Sequence, residues 1–233
     1  GAGRTGLLPE DEAGIEAALA EIEASPMLEF KGFLTHAGHS YRARSKAEIL
    51  AVHEKTTALL RQLKEKYRSR YPDLLVSPGD TPCCSVAEDW AGMDEIRPGN
   101  FVFYDVMQVR IGACEMSDIA VALACPVVAK HADRQEVIIY GGAVHLSKEA
   151  LDWQGKIIFG LPVLLDKKGW AMPEEDCYVR SISQEHGVVH CSPSFYEKVE
   201  VGGLLGILPV HSCLTVDLAR EYLTTDGEVW KKM

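Results

Sequence analysis

The residues best suited to chemistry lie near the end of the chain, where His211 and Cys213 are separated by one residue. If this segment is extended, residues i and i+2 point to the same face, so that an imidazole and a thiolate converge on one point. Such a pair supplies two of the four ligands of a tetrahedral zinc site. Taken alone, the pair is more simply explained by a buried thiol beside a hydrogen-bonded histidine. Its interpretation therefore depends on the rest of the chain.

Three polar loops are rich in glycine and hydroxyl residues and could bind an anion. They are Gly3-Arg4-Thr5-Gly6, the segment 36–41, and the segment 79–85 with 97–100. Such residues at strand ends, beside a helix N-terminus, can hold a phosphate through backbone N–H groups. Nearby arginines and histidines could stack on a flat anionic cofactor or hydrogen-bond to it. Turn formation explains any single loop, but their predicted position at one edge favours a cofactor site.

The elements that must position these loops alternate between helix and strand in residues 1–112. Pro9 and the acids after it start a helix that ends near Ser25, and Ser45 caps a long helix that reaches about Ser69. A short helical piece is predicted around 86–90, and strands are predicted at 28–35, 74–77 and 96–104. This order indicates parallel strands, whose carboxyl ends bring the polar loops to one edge.

Residues 113–233 follow a different pattern, with apolar, β-branched runs separated by turn signals such as Asp166-Lys-Lys-Gly169. Runs occur at 119–130, 136–140, 156–159, 162–165, 178–183, 188–191 and 204–208. Only 214–222 has a helical pattern. The second domain is therefore predicted to be a mainly antiparallel β-domain.

Composition limits the classes of partner and compartment. The net charge of −10 argues against nucleic acid and anionic membranes as partners, and no apolar run is long enough to span a bilayer. Seven cysteines without a CxxC motif indicate reduced thiols and a cytoplasmic location. Because the chain opens on a glycine-rich stretch without an initiator Met, we expect it to be part of a longer polypeptide.

Taken in order, the motifs resemble the D-serine dehydratase / D-threonine aldolase family of pyridoxal-phosphate (PLP) enzymes, which have the alanine-racemase-like fold. The residues that carry the resemblance are Arg-Thr-Gly, Thr-His-Ala-Gly-His-Ser-Tyr, Ser-Pro-Gly-Asp-Thr-Pro, Arg-Pro-Gly-Asn-Phe-Val-Phe-Tyr-Asp with Gln108, Glu-His-Gly at 185–187 and His-Ser-Cys at 211–213. The resemblance covers nearly the whole chain. It implies the second half of a (β/α)8 barrel at 1–112, followed by a β-domain at 113–233.

The resemblance also implies a role for individual residues. Those near the PLP ring would be Arg4, His36 and Tyr41. Those of the phosphate loop would be Gly79, Thr81, Gly99 and Asn100. The zinc ligands would be His211 and Cys213.

Among the family's branches, His-x-Cys resembles the dehydratases and His-x-Asp the aldolases. The implied activity is therefore a zinc-dependent lyase acting on D-hydroxy amino acids, above all D-serine dehydratase. An aldolase-like or alanine-racemase-like enzyme is the alternative. The sequence departs from the family pattern at three places: Val210 replaces the usual Asn, Cys83-Cys84 replaces a hydroxyl residue in the phosphate loop, and His145 is atypical. The zinc pair alone therefore does not decide the substrate.

The resemblance places the Schiff-base lysine on the first barrel strand, which this sequence does not contain. We therefore expect no catalytic residue within this chain, an inactive isolated fragment, and the missing barrel half as a partner. The resemblance also implies that the full-length protein forms a homodimer. Two interpretations of another class stay open, namely a non-catalytic half-barrel that needs a second chain and a simple metal-binding β-module.

Overall fold

The computed structural model describes residues 3–232, which form two compact units. The first runs to Phe101 and includes Ile111–Ala113, and the second contains Val102–Arg110 and the chain from Cys114 onward. The chain thus passes from one unit to the other around residues 101–114. The domain division at 112 and 113 stays a prediction.

The first unit has the α/β character that the sequence predicts. Its elements are α1 (Glu12–Ala24), β1 (Gly32–His36), α2 (Lys46–Tyr67), β2 (Leu75–Gly79) and α3 (Thr81–Val86), with a 3-10 helix at Gly38–Arg42. Strands β1 and β2 pair in parallel. Apolar residues of the helices and of β2 form one core, which includes Ile15, Leu19, Leu60 and Val76. The predicted parallel arrangement is confirmed.

Two local predictions in this unit are wrong. Residues 96–104 form no strand, because Pro98-Gly99 interrupts the extended chain and Asn100–Val102 form a 3-10 helix. The apolar run that suggested the strand is solvent-facing in part, since Phe101 is 47% exposed. The helix predicted around 86–90 begins earlier, at Thr81, because Asp80 caps it and Pro82 fits its first turn.

The cap of α2 leads to a stability prediction. Ser45 accepts a hydrogen bond from the Glu48 backbone N–H at 3.3 Å, while the Glu48 side chain accepts one from the Arg44 N–H at 2.8 Å. Replacing Ser45 with Ala should lower the free energy of unfolding by about 1 kcal/mol, whereas Ser45→Gly should cost only a few tenths. Denaturant titration of both variants measures this. An alanine variant as stable as the glycine variant would contradict the capping role.

The second unit is built on a six-stranded antiparallel sheet with the strand order β10-β11-β4-β3-β12-β7. These strands are β3 (Leu123–His131), β4 (Glu136–Tyr140), β7 (Gly160–Val163), β10 (Tyr178–Ile182), β11 (His186–His190) and β12 (Leu204–Pro209). Three two-stranded ribbons comprise β5 (Leu151–Trp153) with β6 (Lys156–Ile158), β8 (Leu165–Asp166) with β9 (Gly169–Trp170), and β13 (Glu221–Leu223) with β14 (Val229–Lys231). The predicted antiparallel β-domain is confirmed.

Four short helices complete this part of the chain. They are α4 (Val106–Ile111), α5 (Ala143–Leu146), α6 (Pro193–Lys198) and α7 (Ser212–Leu218). Phe195 of α6 is 1% exposed within the main core of the sheet. The predicted helix at 214–222 is shifted, because α7 starts at Ser212 and residues 221–223 turn into β13.

The structure bears on two predictions, namely that no segment spans a membrane and that the cysteines are reduced. Within residues 3–232, no helix combines the length and the apolar character needed to cross a bilayer. The seven cysteines are all free thiols, and four of them are buried. The cytoplasmic location stays a prediction.

Candidate active site

The parallel register of β1 and β2 brings together two of the predicted site loops, which begin at His36 and at Gly79. His36, the last residue of β1, lies opposite Gly79, the last residue of β2. The backbone N–H of Ala37 continues this pairing by donating to the Gly79 carbonyl at 3.2 Å. The polar segments that follow the two strands therefore leave the sheet at the same edge, where parallel sheets bind ligands.

The two aromatic residues assigned to the cofactor ring lie close to each other at this edge. His36 is exposed, and Tyr41 is half-buried in the 3-10 helix that follows β1. Their ring centroids are 6.0 Å apart with an interplanar angle of 39°. Both rings can therefore approach one planar ligand. Arg4 lies in the irregular segment before α1 and is exposed, and no hydrogen bond or ion pair joins it to the other described residues.

A buried carboxylate, which the sequence did not assign, fixes the two loops to each other. Asp80 is 3% exposed and accepts hydrogen bonds from the Ser40 hydroxyl and the Cys83 backbone N–H, both at 2.8 Å. It thereby caps α3 and connects this helix to the 3-10 helix that carries Tyr41. An Asp directly before Thr-Pro is a helix-start pattern and would have revealed the residue from sequence.

The phosphate-loop residues also meet. The buried Thr81 side chain accepts a hydrogen bond from the Asn100 backbone N–H at 3.1 Å. A Cβ atom on Gly79 would lie 3.0 Å from a guanidinium nitrogen of Arg97, whereas one on Gly99 would meet nothing within 4 Å. The loop therefore combines a hydroxyl, open space beside Gly99 and a close positive charge.

Arg97 is a second residue whose structural role the sequence alone does not reveal. Its guanidinium donates to the Ser77 hydroxyl at 2.7 Å, to the Ser77 carbonyl at 2.8 Å and to the Thr35 carbonyl at 2.7 Å. One side chain thus joins β1 to β2 immediately before their carboxyl ends. The planar fork of arginine suits this set of acceptors, which a lysine could not match.

Two further side chains define the chemistry of this edge. His39 has a buried Nδ1 atom without a hydrogen-bond partner among residues 3–232, and burial lowers the pKa of its imidazole. Cys83 is 3% exposed, and burial together with the negative charge of Asp80 raises the pKa of its thiol. Cys83 is therefore an unreactive core residue, while the unsatisfied His39 nitrogen is available to a bound ligand.

The predicted metal pair belongs to the second unit and has a geometry different from the one expected. His211 is the N-cap of α7 with extended backbone angles, and Cys213 lies in the first helical turn. The extended-segment argument is therefore wrong, because only the first of the two residues is extended. The His211 side chain is half-buried, and the Cys213 residue is exposed.

The donor set still suits a metal that prefers nitrogen and sulfur. Burial raises the pKa of the Cys213 thiol, and the negative charge of Asp105 raises it further, so a bound cation would have to stabilise the thiolate. No cluster of three or more His, Cys, Asp or Glu side chains able to hold a metal occurs among residues 3–232. His211 and Cys213 therefore stay a predicted ligand pair.

Comparison with known families matches nearly the whole chain in two parts. Residues 1–106 match the family model described as “Alanine racemase, N-terminal domain”, and residues 120–225 match the model described as “Putative serine dehydratase domain”. The two models divide near the point at which the two structural units meet in sequence.

Individual relatives agree with these models. A D-serine dehydratase from Dictyostelium discoideum is 29% identical over 223 residues, which cover 89% of this chain and 54% of that protein. D-threo-3-hydroxyaspartate dehydratase from Delftia sp. (strain HT23) is 31% identical over 212 residues, covering 87% and 55% respectively. The solved structure of the Delftia protein superposes with a TM-score of 0.83 at 28% identity, over 98% of this chain and 62% of that one. The chain therefore spans about half the length of these curated relatives.

Proposed function

The chain belongs to the D-serine dehydratase family, and we propose that the full-length protein is a PLP- and zinc-dependent lyase that converts D-serine into pyruvate and ammonia. The observation that carries the proposal is the parallel register of β1 and β2, which sets His36 opposite Gly79. This register puts the residues suited to a PLP ring and those suited to its phosphate at one edge of one sheet.

The residues at this edge fit PLP in chemical type. His36 and Tyr41 would hold the ring, while Gly79, Thr81, Gly99 and Asn100 would hold the phosphate. The unsatisfied Nδ1 of His39 and the open space beside Gly99 support the presence of a ligand. When bound, PLP supplies an electron sink for the charge that develops at the substrate carbon. The contribution of this chain is to bind and orient the cofactor. We expect the rest of the polypeptide to supply the lysine that moves the proton. Arg4 stays a proposed ring contact on the resemblance alone.

The proposed zinc ligands are His211 and Cys213. A D-threo-3-hydroxyaspartate dehydratase has been solved as a histidine-to-alanine mutant and as a cysteine-to-alanine mutant, the latter in the metal-free form. The two mutated positions of that protein are two residues apart, which is the spacing of His211 and Cys213 and supports the assignment. A metal at this pair supplies Lewis-acid chemistry for a substrate hydroxyl. His211 and Cys213 would hold that ion.

The choice between dehydration and carbon–carbon cleavage rests on Cys213. The resemblance associates His-x-Cys with dehydratases, and both of the relatives described above are dehydratases of β-hydroxy D-amino acids. D-threo-3-hydroxyaspartate, on which the Delftia protein is named to act, is therefore the second candidate substrate. Aldolase activity on D-threonine is the alternative outcome of the same assay.

We further propose that the remaining barrel strands pack against the first unit. Leu34 of β1 is 71% exposed and Leu75 of β2 is 40% exposed, although both belong to a parallel pair. Parallel sheets are normally covered on both faces, so these side chains are suited to contact further barrel elements. The homodimer implied by the resemblance stays a prediction.

The test of the proposed function uses the full-length protein loaded with PLP and zinc. We expect pyruvate release from D-serine, a slower or comparable release of keto acid from D-threo-3-hydroxyaspartate, and no aldehyde from D-threonine. Zinc removal should abolish the reaction, and its return should restore it. If bound PLP is visible by absorbance but D-serine yields no pyruvate, the D-serine assignment is wrong. If aldehyde appears from D-threonine, the protein is an aldolase.

The phosphate loop gives a separate prediction. Thr81→Val keeps the side-chain shape but removes both the acceptor for the Asn100 N–H and the hydroxyl available to a phosphate. Because a hydrogen bond to a charged group contributes about 1.5–3 kcal/mol, PLP affinity should fall by about tenfold to a hundredfold. Titration of the cofactor-free protein with PLP measures this. The control is Thr225→Val, at an exposed position in the second unit. Equal affinities of the two variants would exclude Thr81 from the phosphate site.

A further inference from the structure

Asp105 is a fully buried carboxylate in the second unit that binds two backbone segments at once. It is 0% exposed. Its Oδ1 accepts a hydrogen bond from the Gln108 N–H, and its Oδ2 accepts one from the Ser212 N–H, both at 2.9 Å. The first bond caps α4, and the second holds the first residue of α7. A buried charge is stabilised only when such donors surround it, so this position in the fold is specific for a carboxylate.

Ser212 lies between the two proposed metal ligands. The backbone at Val210, on its N-terminal side, is also fixed by a hydrogen bond. The Met107 N–H donates to the Val210 carbonyl at 3.2 Å, and Val210 is 2% exposed. Residues 210 and 212 are thus both attached to the start of α4. His211 lies between these two attachments and is half-buried.

We propose that Asp105 is a positioning residue for the metal site, which fixes the backbone at Ser212 and thereby sets the directions of His211 and Cys213. This inference rests on the proposed function, since it requires that these two residues bind a metal. Outer residues that orient ligands typically change metal affinity by about tenfold to a hundredfold when they are replaced. Asp105 acts here through the ligand backbone, and its negative charge also favours a nearby cation.

The chemistry of the contact explains why a carboxylate is needed. Each of the two oxygens accepts from a different N–H group. An asparagine offers one oxygen, and its NH2 group would face a backbone donor. In Asp105→Asn one of the two attachments must therefore break, even though the side chain keeps its size.

A second variant removes the same attachment from the other side. Ser212 is the first residue of α7, where proline is well tolerated, and His211 before it already has the extended backbone that a following proline requires. Ser212→Pro deletes the donated N–H together with the buried Ser212 hydroxyl and leaves Asp105 in place, so Ser212→Ala, which removes only the hydroxyl, is measured beside it. The control for charge loss is Asp217→Asn, on the exposed side of α7, where Asp217 pairs with Lys232.

The experiment measures metal binding by the full-length protein, first stripped of metal, in competition with a chelating dye. Cobalt is the probe, because thiolate ligation gives it a charge-transfer absorption that reports ligand geometry independently of activity. Both Asp105→Asn and Ser212→Pro should bind cobalt about tenfold to a hundredfold more weakly than the natural protein and should show an altered charge-transfer band. Asp217→Asn should match the natural protein in both properties. Each variant is measured well below its own unfolding midpoint, so that loss of folding is not read as loss of metal.

The outcomes distinguish failure of the proposed metal site from failure of the positioning role of Asp105. If the natural protein binds no cobalt, or if His211→Ala binds it equally well, the proposed metal site is wrong. If the natural protein binds cobalt through His211 but Asp105→Asn and Ser212→Pro retain its affinity and its spectrum, the positioning role of Asp105 is overturned. If Asp105→Asn does not fold, the difference between Ser212→Pro and Ser212→Ala decides the question by the same two readouts.

Discussion

Replacing His211 with alanine should lower kcat/KM of the full-length protein for D-serine by about a thousandfold and should remove the bound zinc. A metal acting as a Lewis acid typically contributes several kcal/mol to stabilisation of the transition state. About 4 kcal/mol corresponds to about three factors of ten in rate. Because charge builds up on the leaving oxygen mainly in the transition state, most of the loss should appear in kcat.

The cysteine variant makes this prediction more specific. Cys213→Ala removes the other protein ligand, so its kcat/KM should fall by a similar factor. The double variant should be no worse than the single ones, since all three lack the same ion. His131→Ala, at the end of β3 in the same unit, is the matched control and should keep its zinc and its activity. Near-normal turnover by a zinc-free His211→Ala protein would contradict a catalytic metal at this pair.

Replacing Gly32 with alanine should destabilise the protein by about 4 kcal/mol and weaken PLP binding. Gly32 has a φ angle of +144°, which side chains rarely adopt, and its Cβ atom would lie 1.9 Å from the carbonyl oxygen of Leu75. Since Gly32 pairs with Leu75 in the register of β1 and β2, relief of this clash must move the strands apart. The same displacement would separate His36 from Gly79 at the other end of the pair.

Substitution of a second glycine distinguishes backbone strain from the steric clash with Leu75. Gly227 has a φ angle of +93° but no atom within 4 Å of a Cβ position, so Gly227→Ala carries only the backbone strain. We expect that variant to lose about 1 kcal/mol and to keep its PLP affinity. Denaturant titration and PLP titration of both variants measure the difference. If Gly32→Ala and Gly227→Ala are equally stable, the close approach at Leu75 has no energetic importance.

The fold was largely predictable because hydrophobic periodicity reports which face of an element is buried. The run at 136–140 coincides with β4, and α2 begins directly after its predicted cap, Ser45. Prediction failed at 96–104, where an apolar run follows Pro98-Gly99 and forms no strand. Composition alone does not show that Phe101 faces solvent, since single exposed apolar side chains are common in proteins.

The site was less predictable than the fold. Its motifs placed His36 and Gly79 at strand ends, and the pairing of β1 with β2 brings those ends together. The residues that hold the motifs in place were not assigned, because Asp80 and Asp105 act through buried hydrogen bonds to distant segments. Helix-start patterns mark both aspartates as caps, but a cap pattern does not show which second segment the carboxylate will bind.

The hydrogen bond between Asp105 and Ser212 spans 107 residues of sequence, and this separation has a consequence for biosynthesis. Contacts between distant residues form late, because the intervening chain must first be ordered. On the ribosome, the N-terminal part of a chain emerges and folds before the C-terminal part. Asp105 is therefore synthesised long before the segment that it must hold, and the intervening sheet strands have to assemble in between. The metal binding that we propose for His211 and Cys213 would accordingly be completed only after this segment has left the ribosome.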